Sequence, residues 1–206
     1  MKSKIKILEK MKEVHLEIGK KILVSNRDIY YFDIYTFTVL NRSLQNIYAF
    51  MELIENKRFM VAASIVRLQL DTLLRYYAAW LVDDPEEFAH KIIKKDNVVR
   101  KYTDKNKKKL TDNYLCETLS KDYPWVRNVY KQTSGYIHLS MSHYANIINP
   151  NTITSSTMQL HISPEDQGIP TSIYEEAVEA MISITKILFR YAAGWIERKN
   201  MYPEKT

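Results

Sequence analysis

Arg67, Asp71 and Arg75 follow one another at four-residue spacing inside an otherwise apolar run, residues 59–82, FMVAASIVRLQLDTLLRYYAAWLV. At about 100° per residue these three and Ser64 fall within a sector of roughly 80° on a helix. A helix that is apolar almost all round belongs in the middle of a bundle. A charge on it must be paired or face a cleft, because an uncompensated buried charge is costly. Asp71 is expected to bridge Arg67 and Arg75, which leaves guanidinium donors over for an anionic ligand such as phosphate. The alternative is an internal ion-pair seam that only fixes helix register.

A second polar seam runs through residues 126–143, VRNVYKQTSGYIHLSMSH. Read as one helix from about 124 to 148, it puts Arg127, Tyr130, Ser134 and His138 on one face, with Ser142 continuing the line. Gly135 then marks close approach by another helix. His138 would be the general acid or base and an arginine the group that stabilises phosphorane charge. The expected catalytic set is therefore His138, Arg67 and Asp71, with Arg75, Arg127, Tyr130 and Ser134 binding. His143 lies about 140° round the same helix and is not expected to share a ligand with His138.

Ile65 to Asp71, together with Tyr130 through His138-Leu139-Ser140, resembles the helical proteins of the HEPN superfamily (nucleotide-binding domains of higher eukaryotes and prokaryotes) over roughly residues 40–148. That resemblance implies an all-α protein, in many relatives a dimer, binding RNA or nucleotides and in some cleaving RNA without metal in toxin or defence systems. Their signature is an Arg, four to six residues, then a His. Arg127-Asn128 opens that pattern here, but His138 follows only after ten intervening residues, about 16 Å along a helix. The expectation is a divergent member that binds and does not necessarily cleave.

Two other classes remain open. One is a structural or interaction homodimer that uses the same residues as buried ion pairs. The other is a magnesium-dependent all-α nucleotide pyrophosphohydrolase, for which Glu52-Leu53-Ile54-Glu55 supplies a first carboxylate pair. Asp71 supplies half of the second, Leu68 standing where its partner belongs. No glycine-framed serine, glycine-rich phosphate loop or cysteine–histidine metal cluster is legible, so no metal or cofactor is expected. One cysteine, Cys116, cannot close an internal disulfide, which suits a reducing compartment. It reads as a core thiol.

The net charge of +6 invites a nucleic-acid partner. Between Lys94 and Lys109 eight cations stand against Asp96 and Asp104, which equals the whole excess. That stretch reads as a solvated loop or frayed helix end. Lys105, Lys107, Lys108 and Lys109 are its candidate nucleic-acid patch. The longest apolar run is broken by Arg67, Asp71 and Arg75, so no membrane span is expected, and no secretory leader is legible. The cytoplasm is the expected location.

Few glycines and prolines, four and six, argue for long helices over sheet. Apolar positions at Ile5, Leu8, Met11, Val14, Leu16, Ile18, Ile22 and Leu23 predict a first helix over 3–24. A second is predicted from Asp28 to Lys57, and the third is the run 59–82. Asp84-Pro85-Glu86-Glu87 reads as the start of a fourth, with Asp84 as N-cap and Glu87 as capping-box partner. A short helix near 110–121 and another from about 124 to 148 follow, then a small hairpin or extended arm over 149–171 and a last helix over 172–199. The expected fold is one all-α domain, 1–206: an antiparallel bundle of about five to seven helices with one irregular arm.

Overall fold

The computed structural model describes residues 1–25, 28–95, 99–138, 140–148, 157, 159–166 and 168–201. Among these the chain is all helical: α1 (Lys2–Val24), α2 (Tyr31–Glu55), α3 (Phe59–Ala78), α4 (Pro85–Lys95), a 3₁₀ turn (Val99–Lys101), α5 (Asp112–Leu119), α6 (Trp125–Ile137), α7 (Met141–Ile147) and α8 (Thr171–Lys199). Helix α3 packs against α2, α5, α6 and α8, which is why its apolar character runs all round. No helix among the described residues is long and apolar enough to cross a membrane.

The buried face of α1 is Ile5, Leu8, Met11, His15, Ile18 and Ile22, while Val14, Leu16 and Leu23 are exposed. The helical stripe therefore passes through a histidine. Its Nδ1 bonds the Met11 carbonyl at 2.7 Å and its Nε2 the Ser43 hydroxyl at 3.0 Å. Gln69 of α3 donates to the same hydroxyl (2.7 Å) and to Thr185 of α8 (2.9 Å), so one polar network joins four helices. Gly19 lets α1 approach α2, since a Cβ there would lie 3.1 Å from Phe37.

At one end of the bundle the core is aromatic and ionic. Phe32 stacks on Tyr76 at 5.6 Å and meets Trp195 edge-on at 4.6 Å. Beneath them Lys199, 1% exposed, donates to Asp33 and to the Ile22 carbonyl, each at 2.8 Å. Trp195 Nε1 and the Tyr30 main-chain N–H complete the shell of Asp33, at 2.7 and 2.9 Å. An ion pair this deep survives because every Asp33 oxygen has a donor.

Helix α4 begins as expected at Asp84, whose Oδ1 accepts from the main chain of Glu86 and Glu87. The capping box does not form. Glu87 instead pairs with Lys91, and Glu86 reaches across to accept from the first N–H groups of α2, Tyr31 at 2.9 Å and Phe32 at 2.8 Å. These carboxylates act as helix caps.

The predicted helix over 124–148 is two helices. The chain leaves helical geometry at His138 and restarts after Ser140, which forms a capping box with His143. Gly135 is approached not by another helix but by Ser140 just beyond the break, whose hydroxyl donates to the Gly135 carbonyl at 2.6 Å. Of the arm, residues 149–156, Met158 and Gln167 lie outside the described residues. What is described contains no strand, only an isolated bridge between Ile148 and Leu160. Asp166 moors it, accepting from the Met60 N–H at the start of α3 and from Asn146 of α7.

Candidate functional site

Helices α3 and α6 run antiparallel in contact, and two pairs set their register. Ser64 Oγ donates to the Tyr136 carbonyl at 2.8 Å, and two helical steps on, the Arg67 guanidinium lies over the Tyr130 ring, 4.2 Å from its centroid. Arg67 is buried, 8% exposed. Asp71 does not bridge Arg67 and Arg75: it pairs with Arg75 at 3.2 Å and with Arg42 of α2 at 3.6 Å. Arg42 is a partner the local spacing does not reveal, because it comes from another helix.

Arg75 is a junction. Its Nη2 lies 2.5 Å from Oδ1 of Asp112, the first residue of α5, and its carbonyl accepts from the Tyr35 hydroxyl at 3.0 Å. Arg75 Nη1 and Asp112 Oδ1 nevertheless lack a well-aligned hydrogen bond. The contact is Coulombic more than directional. Burial holds the Tyr35 hydroxyl well above its ordinary range, only partly opposed by Arg75, so it stays a neutral donor.

The second seam is dispersed. Ser134 turns its hydroxyl onto the Tyr130 carbonyl within α6 (2.7 Å). Arg127 is exposed. His138, outside the helix and exposed, lies eight residues beyond Tyr130, about 12 Å further toward the start of α3 if measured by helical rise. It sits toward the opposite end of α3 from Arg75. The expected convergence of Arg67, Asp71 and His138 on one pocket is not what the structure places. A cavity of about 690 Å³ opens between α3, α6 and α8 over Phe59, Ala63 and Val66, and none of the three lines it. The side chain of Ser142 lies outside the described residues.

Cys116 of α5 is buried and free. Burial raises its thiol above the ordinary value, opposed by Ser120 and by the fields of Arg67 and Arg127, so it is a protonated core thiol. Glu52 and Glu55 are exposed at the end of α2, and both Asp71 oxygens are engaged by arginines. Among the described residues no group of three carboxylates, histidines or cysteines could hold a metal ion.

The basic stretch is not a frayed end. Residues 96–98 lie outside the described residues. Beyond the 3₁₀ turn the chain folds into a tight hairpin, with Leu110 N–H donating to Tyr102 O (2.9 Å) and Asp104 N–H to Lys108 O (2.9 Å). Asp104, buried, is its clamp: Oδ1 accepts from the N–H groups of Asn106 (2.9 Å) and Lys108 (2.8 Å), and Oδ2 from the Tyr114 hydroxyl (2.6 Å). Desolvation pushes the Asp104 carboxyl up, but Tyr114 and the two amides outweigh it and hold it below its ordinary value. Lys107 takes φ +62°, and Lys105, Lys107, Lys108 and Lys109 all project into solvent. The hairpin feeds into α5 at Asp112, so it adjoins the Arg75–Asp71–Arg42 cluster. Sequence reading found these lysines but missed their clamp, although Asp104 two residues before Asn106 is a turn signal. Comparison with family models, with curated proteins and with solved structures returns no match to this chain.

Proposed function

We propose that this protein binds RNA along its phosphate backbone, with the hairpin lysines Lys105, Lys107, Lys108 and Lys109 as the principal contact and the adjoining Arg42–Asp71–Arg75 cluster beside it. The observation that carries this reading is the clamp. Four like charges on one turn repel each other, and a solvated loop would spread them; here Asp104 and Tyr114 gather them at a fixed place. Fixed cations lose little conformational entropy when a phosphate backbone arrives. The HEPN-like resemblance lies in sequence patterns on α3 and α6, helices that pack together. The reading stops at binding, since His138 is remote from Arg75 and exposed. The test is a salt titration of single-stranded RNA binding. Three to five phosphate contacts give a log–log slope of about −2 to −3.5. Replacing the four lysines with Gln should flatten it without lowering the melting temperature. Equal slopes for the two proteins would remove the hairpin from the reading.

A second reading, self-association, is favoured by a different observation. Residues 132–164 contain no Asp, Glu, Lys or Arg in a chain that is 26% charged. On that stretch Met141 (77% exposed), Ile162 (fully exposed), Tyr144 and Leu160 stand in solvent. A stretch without charge whose described apolar side chains stand in solvent fits an interface, and two copies of a basic protein repel least where neither carries charge. Sedimentation should find a dimer that Met141→Glu with Ile162→Glu converts to a folded monomer. A wild type that stays monomeric at about 100 μM, weaker than roughly −5.5 kcal/mol of association, would discard this reading.

A further inference from the structure

Among the described residues only the Tyr130 ring, and no carboxylate, engages the charge of Arg67. It is nine-tenths buried, and among the described residues no carboxylate lies within 4 Å of it, Asp71 being held by Arg42 and Arg75. No oxygen of the described chain accepts a hydrogen bond from it. The Tyr130 ring beneath it offers an attractive π face but no lone pair for its five N–H groups. A buried guanidinium in that condition is destabilising unless something else supplies the acceptors. Its nitrogens are not sealed from solvent, unlike Arg75 Nη1.

The surroundings narrow the ligand. Arg127 precedes Tyr130 by three residues on α6, one turn along the face on which Arg67 sits, and it is exposed. The Cys116 thiol of α5, buried and raised by that burial, is protonated and offers no competing anion. Two planar forks of positive charge match a phosphate monoester, which bears close to two charges and three free oxygens, better than a carboxylate with one charge and two. With Arg67 only 8% exposed, a ligand would bring the phosphate alone to it, with whatever it esterifies remaining outside.

We propose that Arg67, seated on Tyr130 between α3, α5 and α6, is a receptor for one phosphate monoester group, with Arg127 at its mouth. The inference does not rest on the hairpin reading: it predicts a saturable site for one group, where the hairpin would bind a polymer backbone. A free nucleoside monophosphate and the phosphorylated end of an RNA carry the same chemistry.

The experiment is thermal unfolding and calorimetry of the full chain with inorganic phosphate against chloride at matched ionic strength. Wild type should gain melting temperature saturably in phosphate. Arg67→Met, which keeps the stem over Tyr130 and removes the charge, should fold in phosphate-free buffer and show no gain. Arg127→Gln should weaken phosphate binding by about tenfold, the loss of one charge-assisted contact. Should Arg67→Met fail to fold, Arg67→Lys keeps the charge and loses the fork, and it must still bind phosphate more weakly than wild type. The same gain in wild type and these variants, or no saturable gain in wild type, overturns the proposal. Competition then distinguishes the sources. Displacement of phosphate by a 5′-phosphorylated oligonucleotide assigns a chain end, and displacement only by a nucleoside monophosphate assigns the free nucleotide. Displacement by a 5′-hydroxyl oligonucleotide overturns the site. The hairpin Lys→Gln variant should keep its phosphate response, so this inference and the backbone-binding reading can fail separately.

Discussion

The main-chain N–H of Lys108 donates to Oδ1 of Asp104 at 2.8 Å, so the most basic turn of the chain is wound round one buried carboxylate. Removing that carboxylate should loosen the lysines without removing any. Asp104→Ala is expected to cost about 2 kcal/mol in urea unfolding, the scale of hydrogen bonds to a charged acceptor. It should also lower the salt slope of RNA binding although all four lysines remain. An unchanged slope would mean that their positions are immaterial. The Asp104 carboxyl lies below its ordinary value of 3.8 when folded. Its stabilisation is therefore fully present above the unfolded pKa and lost as pH falls through 3.8 toward the folded value.

His15 should make the whole bundle acid-sensitive in a higher window. Burial lowers its pKa from the ordinary 6.5, only partly opposed by its bond to the Met11 carbonyl. The unfolded chain then takes up a proton that the folded chain refuses, so stability is complete above pH 6.5 and declines as pH falls below it. Urea unfolding of wild type between pH 7.5 and 5 should show that decline, and His15→Gln should lose most of it. Identical pH profiles would show that the His15–Ser43 bond carries no such linkage.

Lys199→Met leaves the Asp33 carboxylate buried without a cation and should destabilise by about 3–5 kcal/mol. Adding Asp33→Asn in the same chain removes the orphan charge while keeping an acceptor for Trp195 Nε1. The double variant should be more stable than Lys199→Met alone. If it is less stable, the pair is not the dominant interaction at that position.

Gly135→Ala should stabilise. A Cβ there meets Ser140 Oγ at 3.4 Å, ordinary contact, while an alanine in a helix gains about 0.5–1 kcal/mol over glycine. A lower melting temperature would show that the turn into Ser140 needs the glycine.

The helices were legible wherever burial and apolar character coincide. The all-round apolar run 59–82 declared a central helix, and α8 was read to within a residue, with Ile182, Ile184, Ile187, Leu188 and Trp195 in its core. Legibility failed where a polar residue occupies a core position. His15 took the place on α1 that Val14 and Leu16 suggested, because Met11 and Ser43 satisfy both its nitrogens. The break at His138 was hidden for a similar reason. Ser140 begins α7 with His143 as its capping partner, where the expected signature carries Glu or Gln. At the candidate site the Asp71–Arg75 pair was legible from its four-residue spacing. The rest was not: Asp71 takes Arg42 in place of Arg67, and Arg75 also takes Asp112, residues that only tertiary packing brings near.

Lys199 ends α8, Ile22 lies in the last turn of α1, and Asp33 in the first turn of α2, and one ammonium group holds all three. Terminal turns ordinarily open and close on their own, and their amide hydrogens exchange with solvent first. These three resist it, since freeing Lys199 or Asp33 strands a charge in the core and freeing Ile22 costs the ammonium an acceptor. Deuterium should therefore enter the last turn of α8 about as slowly as the middle of α3. At the opposite end of the bundle, where α6 gives way to α7, no such buried ion pair is found among the described residues, and that end should exchange early. The molecule thus has a locked pole and a yielding one, and the yielding pole carries the uncharged face.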